Sequence, residues 1–162
     1  MSAEALTMIS HSLEETQRLG TVIGQLLEGD EVICLEGELG TGKTTLIQAI
    51  SRAQGVAEPV TSPTFTLVNL YQGRSGAIHH IDLYRLESAR EILQAGIDAY
   101  FYADGICLIE WAEKARDILP PDHLYVLLQH AGGDSRIMDI RARGESHRLL
   151  LARLHQQLEA QT

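Results

Sequence analysis

The chain is short of positive charge. Its 13 lysines and arginines stand against 22 aspartates and glutamates over 162 residues, a formal net charge of −9. Neutralising phosphates needs a basic face, so this balance argues against an independent grip on RNA or DNA. The exception is local. Arg136, Arg141, Arg143 and Arg148 crowd the C-terminal quarter, where they read as solvated surface, with a nucleotide or partner contact as the alternative. Cysteine is scarce too: Cys34 and Cys107 both sit inside apolar runs and read as small buried hydrophobes in a reducing compartment rather than as a disulfide. No apolar run approaches the length that spans a bilayer, and residues 1–6 lack the basic start and long apolar stretch of a signal peptide. A cytoplasmic location without membrane contact is expected. Repeats, low-complexity tracts and dividing linkers are also missing, so one domain over residues 1–162 is the economical expectation.

What is present is more specific. Gly37-Glu38-Leu39-Gly40-Thr41-Gly42-Lys43-Thr44 is a complete G-x-x-x-x-G-K-[ST] phosphate-binding loop, and Thr45 continues it. It follows the apolar run Val32-Ile33-Cys34-Leu35 and precedes a helical pattern, the strand-loop-helix context that such a loop requires. The glycines free the backbone so that successive N–H groups converge on a phosphate. Lys43 supplies a point charge to the β- and γ-phosphates and Thr44 a hydroxyl for magnesium. A nucleoside triphosphate with Mg2+ is the expected ligand.

Along the chain, helical and strand periods alternate. Ser12 followed by Glu15 reads as a capping box, with apolar residues at Leu19, Val22, Ile23, Leu26 and Leu27 until Gly29. Strands are expected over 31–36, around Tyr71, over 77–82, over 106–109, over 124–129 and over 136–143; helices over 43–54, around 88–93, over 111–118 and over 146–159. The sum is an α/β domain of phosphate-loop type, with a mixed, largely parallel sheet flanked by helices.

Hydrolysis or transfer of a phosphoryl group needs acids as well as a phosphate cradle. Asp82 and Glu110 each end a predicted strand, where ligands bind in open α/β sheets. A helix cap or strand-end ion pair is the blander reading for each, and which of them takes the inner metal shell stays open. His79 and His80 precede Asp82 with no Cys or His at metal-ligand spacing nearby, which argues against structural zinc. His80 shares a strand face with Asp82, yet a packed or capping histidine is the favoured expectation. Thr64, held between Pro63 and Phe65, fits a loop that reaches magnesium or the γ-phosphate and lets go after hydrolysis, or else an ordinary turn. For Trp111, the single tryptophan, core packing is the general expectation.

Taken in order, the phosphate loop with Thr45, then Ser62-Pro63-Thr64-Phe65 with Tyr71, then His80-Ile81-Asp82-Leu83-Tyr84-Arg85-Leu86, then Ile109-Glu110-Trp111-Ala112-Glu113-Lys114 resemble the bacterial TsaE family, also called YjeE. The resemblance spans roughly residues 10 to 145. It implies an ATPase required for the threonylcarbamoyl modification of adenosine in tRNAs that read codons beginning with A. In that family the transfer is carried out by TsaD acting with TsaB, while TsaE docks on their complex and uses ATP to keep it turning over, so that tRNA is met only indirectly. The resemblance further implies that Lys43 and Thr44 bind phosphates and magnesium, that Glu110 is a magnesium ligand, and that Asp82 is needed for hydrolysis. It makes the Ser62 to Phe65 segment a switch, sets Trp111 beside the site, and brings the Ser12 to Thr16 stretch near the base. Ala112 departs from the proline common after the tryptophan. An acidic ATPase that meets tRNA through partners needs no basic surface of its own.

Two other classes share the phosphate loop. A small-molecule kinase usually carries an arginine-rich lid, whereas the arginines here fall late and scattered. A guanine-nucleotide switch needs N/T-K-x-D and D-x-x-G elements, and the sequence has neither. A nucleotide-binding assembly subunit with incidental hydrolysis is a third alternative.

Overall fold

The computed structural model describes residues 4–161; Met1, Ser2 and Ala3, part of the stretch read above for a targeting signal, lie outside it, as does Thr162. The strands are β1 (Ala5–Ser10), β2 (Val32–Gly37), β3 (Val68–Gly73), β4 (Gly76–Asp82), β5 (Ile106–Glu110), β6 (His123–His130) and β7 (Arg136–Arg143). The α-helices are α1 (Leu13–Leu26), α2 (Lys43–Ala53), α3 (Ala89–Gln94) and α4 (Glu145–Ala160), with 3-10 helices at Ile97–Tyr102 and Ala112–Ile118.

All seven strands join one sheet in the order β1-β7-β6-β2-β5-β4-β3. The middle is parallel, β6 with β2, β2 with β5 and β5 with β4, while both flanks are closed by antiparallel pairs. The α/β class and mixed sheet expected from the sequence are what the chain adopts. β2 and β5 are buried on both faces, which explains why their sequences are unbroken apolar runs. Ile33 and Leu35 face a layer formed by α1, α2 and α4. Val32 and Cys34 face the other layer, where Ile92, Phe101, Ala112 and Ala115 pack. Both cysteines are free and buried, and desolvation pushes both thiols well above their usual range.

Local rules account for most boundaries. Ser12 caps α1 by accepting from the Glu15 N–H at 3.2 Å, and Glu15 returns a bond to the His11 N–H at 2.6 Å. Ser88 caps α3 in the same way, at 3.3 Å from the Glu91 N–H. Three elements depart from expectation, one of them the 3-10 helix at Ile97–Tyr102, where the sequence reading assigns none. β1 does not emerge from the sequence reading, because its stability comes from antiparallel pairing with β7 at the far end of the chain, Ala5 opposite Arg141. The helix expected over 111–118 is a 3-10 helix that starts only after Trp111 takes a left-handed φ of 59°.

Candidate functional site

β2 delivers the chain into the phosphate loop, and α2 begins at Lys43. Gly42 holds a φ of +105°, a conformation costly for any residue with a Cβ. Gly37 is demanded by proximity instead: a Cβ there would lie 2.5 Å from Thr41 Oγ1 and 2.7 Å from the Leu128 carbonyl. Four of the loop's carbonyls, those of Gly37, Glu38, Gly40 and Thr41, accept hydrogen bonds from side chains. Arg136 donates from Nε to Thr41 O and from Nη2 to Gly40 O, each at 3.2 Å, and the Thr41 hydroxyl donates to Glu38 O at 2.8 Å. Lys43 Nζ donates to Gly37 O and to Glu38 O, the latter at 3.0 Å, and lies 4.1 Å from the centre of the Trp111 ring. Desolvation lowers the Lys43 pKa, opposed by the charges of Glu110, Glu113 and Asp82. Burial also raises the Glu113 carboxyl above the usual carboxylate range.

Across from the loop stand the two acids. β4 and β5 run parallel with Asp82 opposite Glu110, and both side chains are almost fully buried, 2% and 3% exposed. Glu110 Oε1 accepts from the Thr44 hydroxyl at 2.9 Å, and Oε2 lies 2.7 Å from His80 Nε2 and 3.4 Å from Ser62 Oγ. Asp82 Oδ2 accepts from Ser62 at 2.6 Å and from Thr64 at 3.2 Å, while Oδ1 accepts from the Tyr84 N–H at 2.9 Å. Gly42, Lys43, Thr44, Thr64, Asp82 and Glu110 thereby line one cleft of about 520 Å³.

The geometry sorts the candidate residues. Lys43, Thr44, Thr45, Thr64, Asp82, Glu110 and Trp111 converge on the cleft, with Leu39 exposed at its rim. Gly37, Glu38 and Thr41 build the loop from behind, where Thr41 is buried. Thr16 borders a second hollow of about 310 Å³ that also touches Gly40, Gly42, Thr45, Asp134 and Arg136. Ser12 does not border it; its hydroxyl is committed to the α1 cap.

Three placements revise the sequence reading. His80 is neither a cap nor a simple packing residue, since its ring nitrogen meets Glu110. Arg136 is not a solvated arginine but a brace on the phosphate loop. Trp111 is half-buried against Lys43 and Tyr84, with the Tyr84 ring centre 5.1 Å away, so it lines the cleft as well as packing. The two-residue spacing of His80 and Asp82 on one strand face was the available signal for the first; nothing local to Arg136 announces the second.

The oxygen donors here, two carboxylates and three hydroxyls, suit a hard cation such as Mg2+. No group of three or more His, Cys, Asp or Glu residues fit to hold a metal occurs among the described residues.

Residues 10–138 match the family described as threonylcarbamoyl adenosine biosynthesis protein TsaE. The tRNA threonylcarbamoyladenosine biosynthesis protein TsaE of Bacillus subtilis is 35% identical over 141 residues, which cover 87% of this chain and 88% of that protein. The protein of the same name from Treponema pallidum is 41% identical over 112 residues, 69% of this chain and 82% of its own length. Among solved structures, the Bacillus subtilis protein YdiB superposes with a TM-score of 0.80 at 29% identity and 97% coverage of both chains.

Proposed function

The chain belongs to the TsaE family of tRNA threonylcarbamoyladenosine biosynthesis, and from that membership we propose that it is an ATPase acting with TsaD and TsaB rather than on tRNA itself. The observation that carries the reading is the convergence of Lys43 and Thr44 with Asp82 and Glu110 on one cleft. A phosphate loop alone suits any nucleotide binder; two buried carboxylates facing its lysine and hydroxyl suit phosphoryl chemistry.

In this reading the loop N–H groups and Lys43 take the β- and γ-phosphates of ATP. Lys43 exchanges its bonds to Gly37 O and Glu38 O for phosphate oxygens. Thr44 and Glu110 would hold Mg2+. Because Thr44 donates its hydrogen to Glu110, the lone pairs of its oxygen stay available to a cation. When bound, the metal neutralises charge on the β- and γ-oxygens. Asp82 is the acceptor that orients the attacking water. Its Oδ2 is engaged by the Ser62 and Thr64 hydroxyls, and a γ-phosphate would offer those hydroxyls a competing acceptor. Trp111 and Tyr84 form the apolar side of the cleft.

A small-molecule kinase gains nothing from the geometry. Arg136, which meets the loop, is spent on its carbonyls. The deciding experiment mixes the purified chain with TsaD and TsaB and measures phosphate release and modified tRNA together. Wild type supports both, and Asp82→Ala abolishes both while still binding ATP. If modification survives with hydrolysis abolished, the assembly-subunit alternative replaces this reading.

A further inference from the structure

One buried group at the site is left without a role by this chemistry. His80 lies on β4 opposite Leu108 of β5 and Asn69 of β3, and its side chain is fully buried. It borders no part of the cleft and cannot touch a substrate. Its Nε2 sits 2.7 Å from Glu110 Oε2. A carboxylate oxygen accepts, so Nε2 is the donor in this contact. Nδ1 is buried and has no hydrogen-bond partner among the described residues. A buried ring nitrogen without a partner is unfavourable for folding, and a leucine would avoid it. Stability alone therefore gives no reason for a histidine here.

The reason lies in how Glu110 is held. Each carboxylate oxygen has one close partner: Thr44 on Oε1 and His80 on Oε2, with Ser62 more distant at 3.4 Å. Thr44 belongs to the helix start that meets phosphate, and Ser62 to the segment engaged with Asp82. His80 alone among these three stands inside a strand and borders no part of the cleft. We propose that His80 is a positioning residue: its Nε2–H fixes the plane of the Glu110 carboxylate and thereby sets the magnesium-dependent share of ATP binding. This rests on the reading of the cleft as a magnesium-ATP site. The pattern is that of an imidazole supporting a ligand carboxylate from behind, where losing the support commonly costs about tenfold to a hundredfold in metal affinity or activity.

The test compares wild type, His80→Leu and His80→Gln by calorimetric titration with ATP, once with Mg2+ and once with EDTA. Glutamine sets an amide N–H near the position of Nε2; leucine fills similar volume with no donor. The expected result is that His80→Leu keeps wild-type affinity for ATP in EDTA but loses about tenfold to a hundredfold of the tightening that Mg2+ brings, and that His80→Gln recovers most of it. Should His80→Leu fail to fold, His80→Asn serves in its place, because its amide reaches only the Nδ1 position and the donor to Glu110 is still removed. Full Mg2+-dependent tightening in the leucine or asparagine variant overturns the proposal. So does an equal loss of affinity in EDTA and in Mg2+, which would make His80 a support of the fold alone. A wild-type protein that binds no ATP, or binds it without regard to Mg2+, overturns the underlying reading of the site and not merely the role of His80.

Discussion

Replacing Gly24 with valine tests how the two helices nearest the phosphate loop fix its surroundings. Gly20 and Gly24 lie on the face of α1 that meets α2. A Cβ at Gly24 would sit 2.5 Å from the Ile50 carbonyl oxygen and 2.7 Å from the Ala53 Cβ; ordinary contact begins near 3.4 Å. Neither neighbour is a flexible side chain, so the helices must part by roughly 1 Å to admit even the first carbon. Valine adds two more, which puts the overpacking cost at the upper end of the usual range, about 3 kcal/mol. Against this, valine is a better helix former than glycine by about 0.4 kcal/mol. The balance is a loss of about 2.5 kcal/mol, or a fall in melting temperature of about 5 to 10 °C for a chain of this size. Gln25→Val is the control, one position on and exposed, where only a small change is expected. Because α1 also carries Thr16, whose Cγ2 lies 3.8 Å from where a Gly42 Cβ would stand, parting the helices widens that approach and weakens ATP binding. Thermal unfolding followed by circular dichroism reads the first effect and calorimetry the second. A Gly24→Val protein melting within about 2 °C of Gln25→Val would show that the glycine contact does not set the spacing of the helices.

Three further outcomes are expected. Lys43→Ala removes a charge-assisted contact worth about 1.5 to 3 kcal/mol to the triphosphate, so ATP affinity in a direct titration falls by roughly ten- to a hundredfold; unchanged affinity refutes the assignment. Thr64→Ala leaves folding nearly intact, because Ser62 still serves Asp82 at 2.6 Å, but slows turnover in the presence of TsaD and TsaB; wild-type hydrolysis there counts against the switch reading. Asp122 is the pH-sensitive contact: burial works against its ionisation, but hydrogen bonds from His147 and Ser146 outweigh that and hold its carboxyl below the usual range. A depressed folded-state pKa stabilises above the unfolded value near 3.9, and the benefit is lost as pH falls through the lower folded one. The stability difference between wild type and Asp122→Asn, measured by urea unfolding, therefore narrows on acidification below about pH 4; a gap that stays constant to pH 2.5 would show that ionisation contributes nothing.

Much of the site was written locally. The phosphate loop is one contiguous motif, and Asp82 and Glu110 stand at ends of strands whose periodicity is plain. What escaped was set by distance in sequence. Nothing near Arg136 tells that β7 returns beside β6 and brings its guanidinium onto loop carbonyls at positions 40 and 41. β1 alternates Leu6 and Met8 toward the core in only six residues, and its partner lies beyond the whole intervening domain. His80 was visible as a strand residue sharing a face with Asp82, but its partner is thirty residues away on another strand. The left-handed turn at Trp111 reflects tertiary demand, since β5 must end and a 3-10 helix begin within one residue.

Asp82 and Glu110 stand opposite each other on two hydrogen-bonded strands inside the sheet, and Ser62 and Thr64 on a segment that belongs to no strand or helix. The site is thus a vice with one fixed jaw. The separation of the acids is set by strand spacing and resists change; the hydroxyl jaw is attached by three contacts that can be exchanged one at a time. Substitutions in the sheet should consequently alter what the site holds, and substitutions between residues 62 and 65 only how long it holds it.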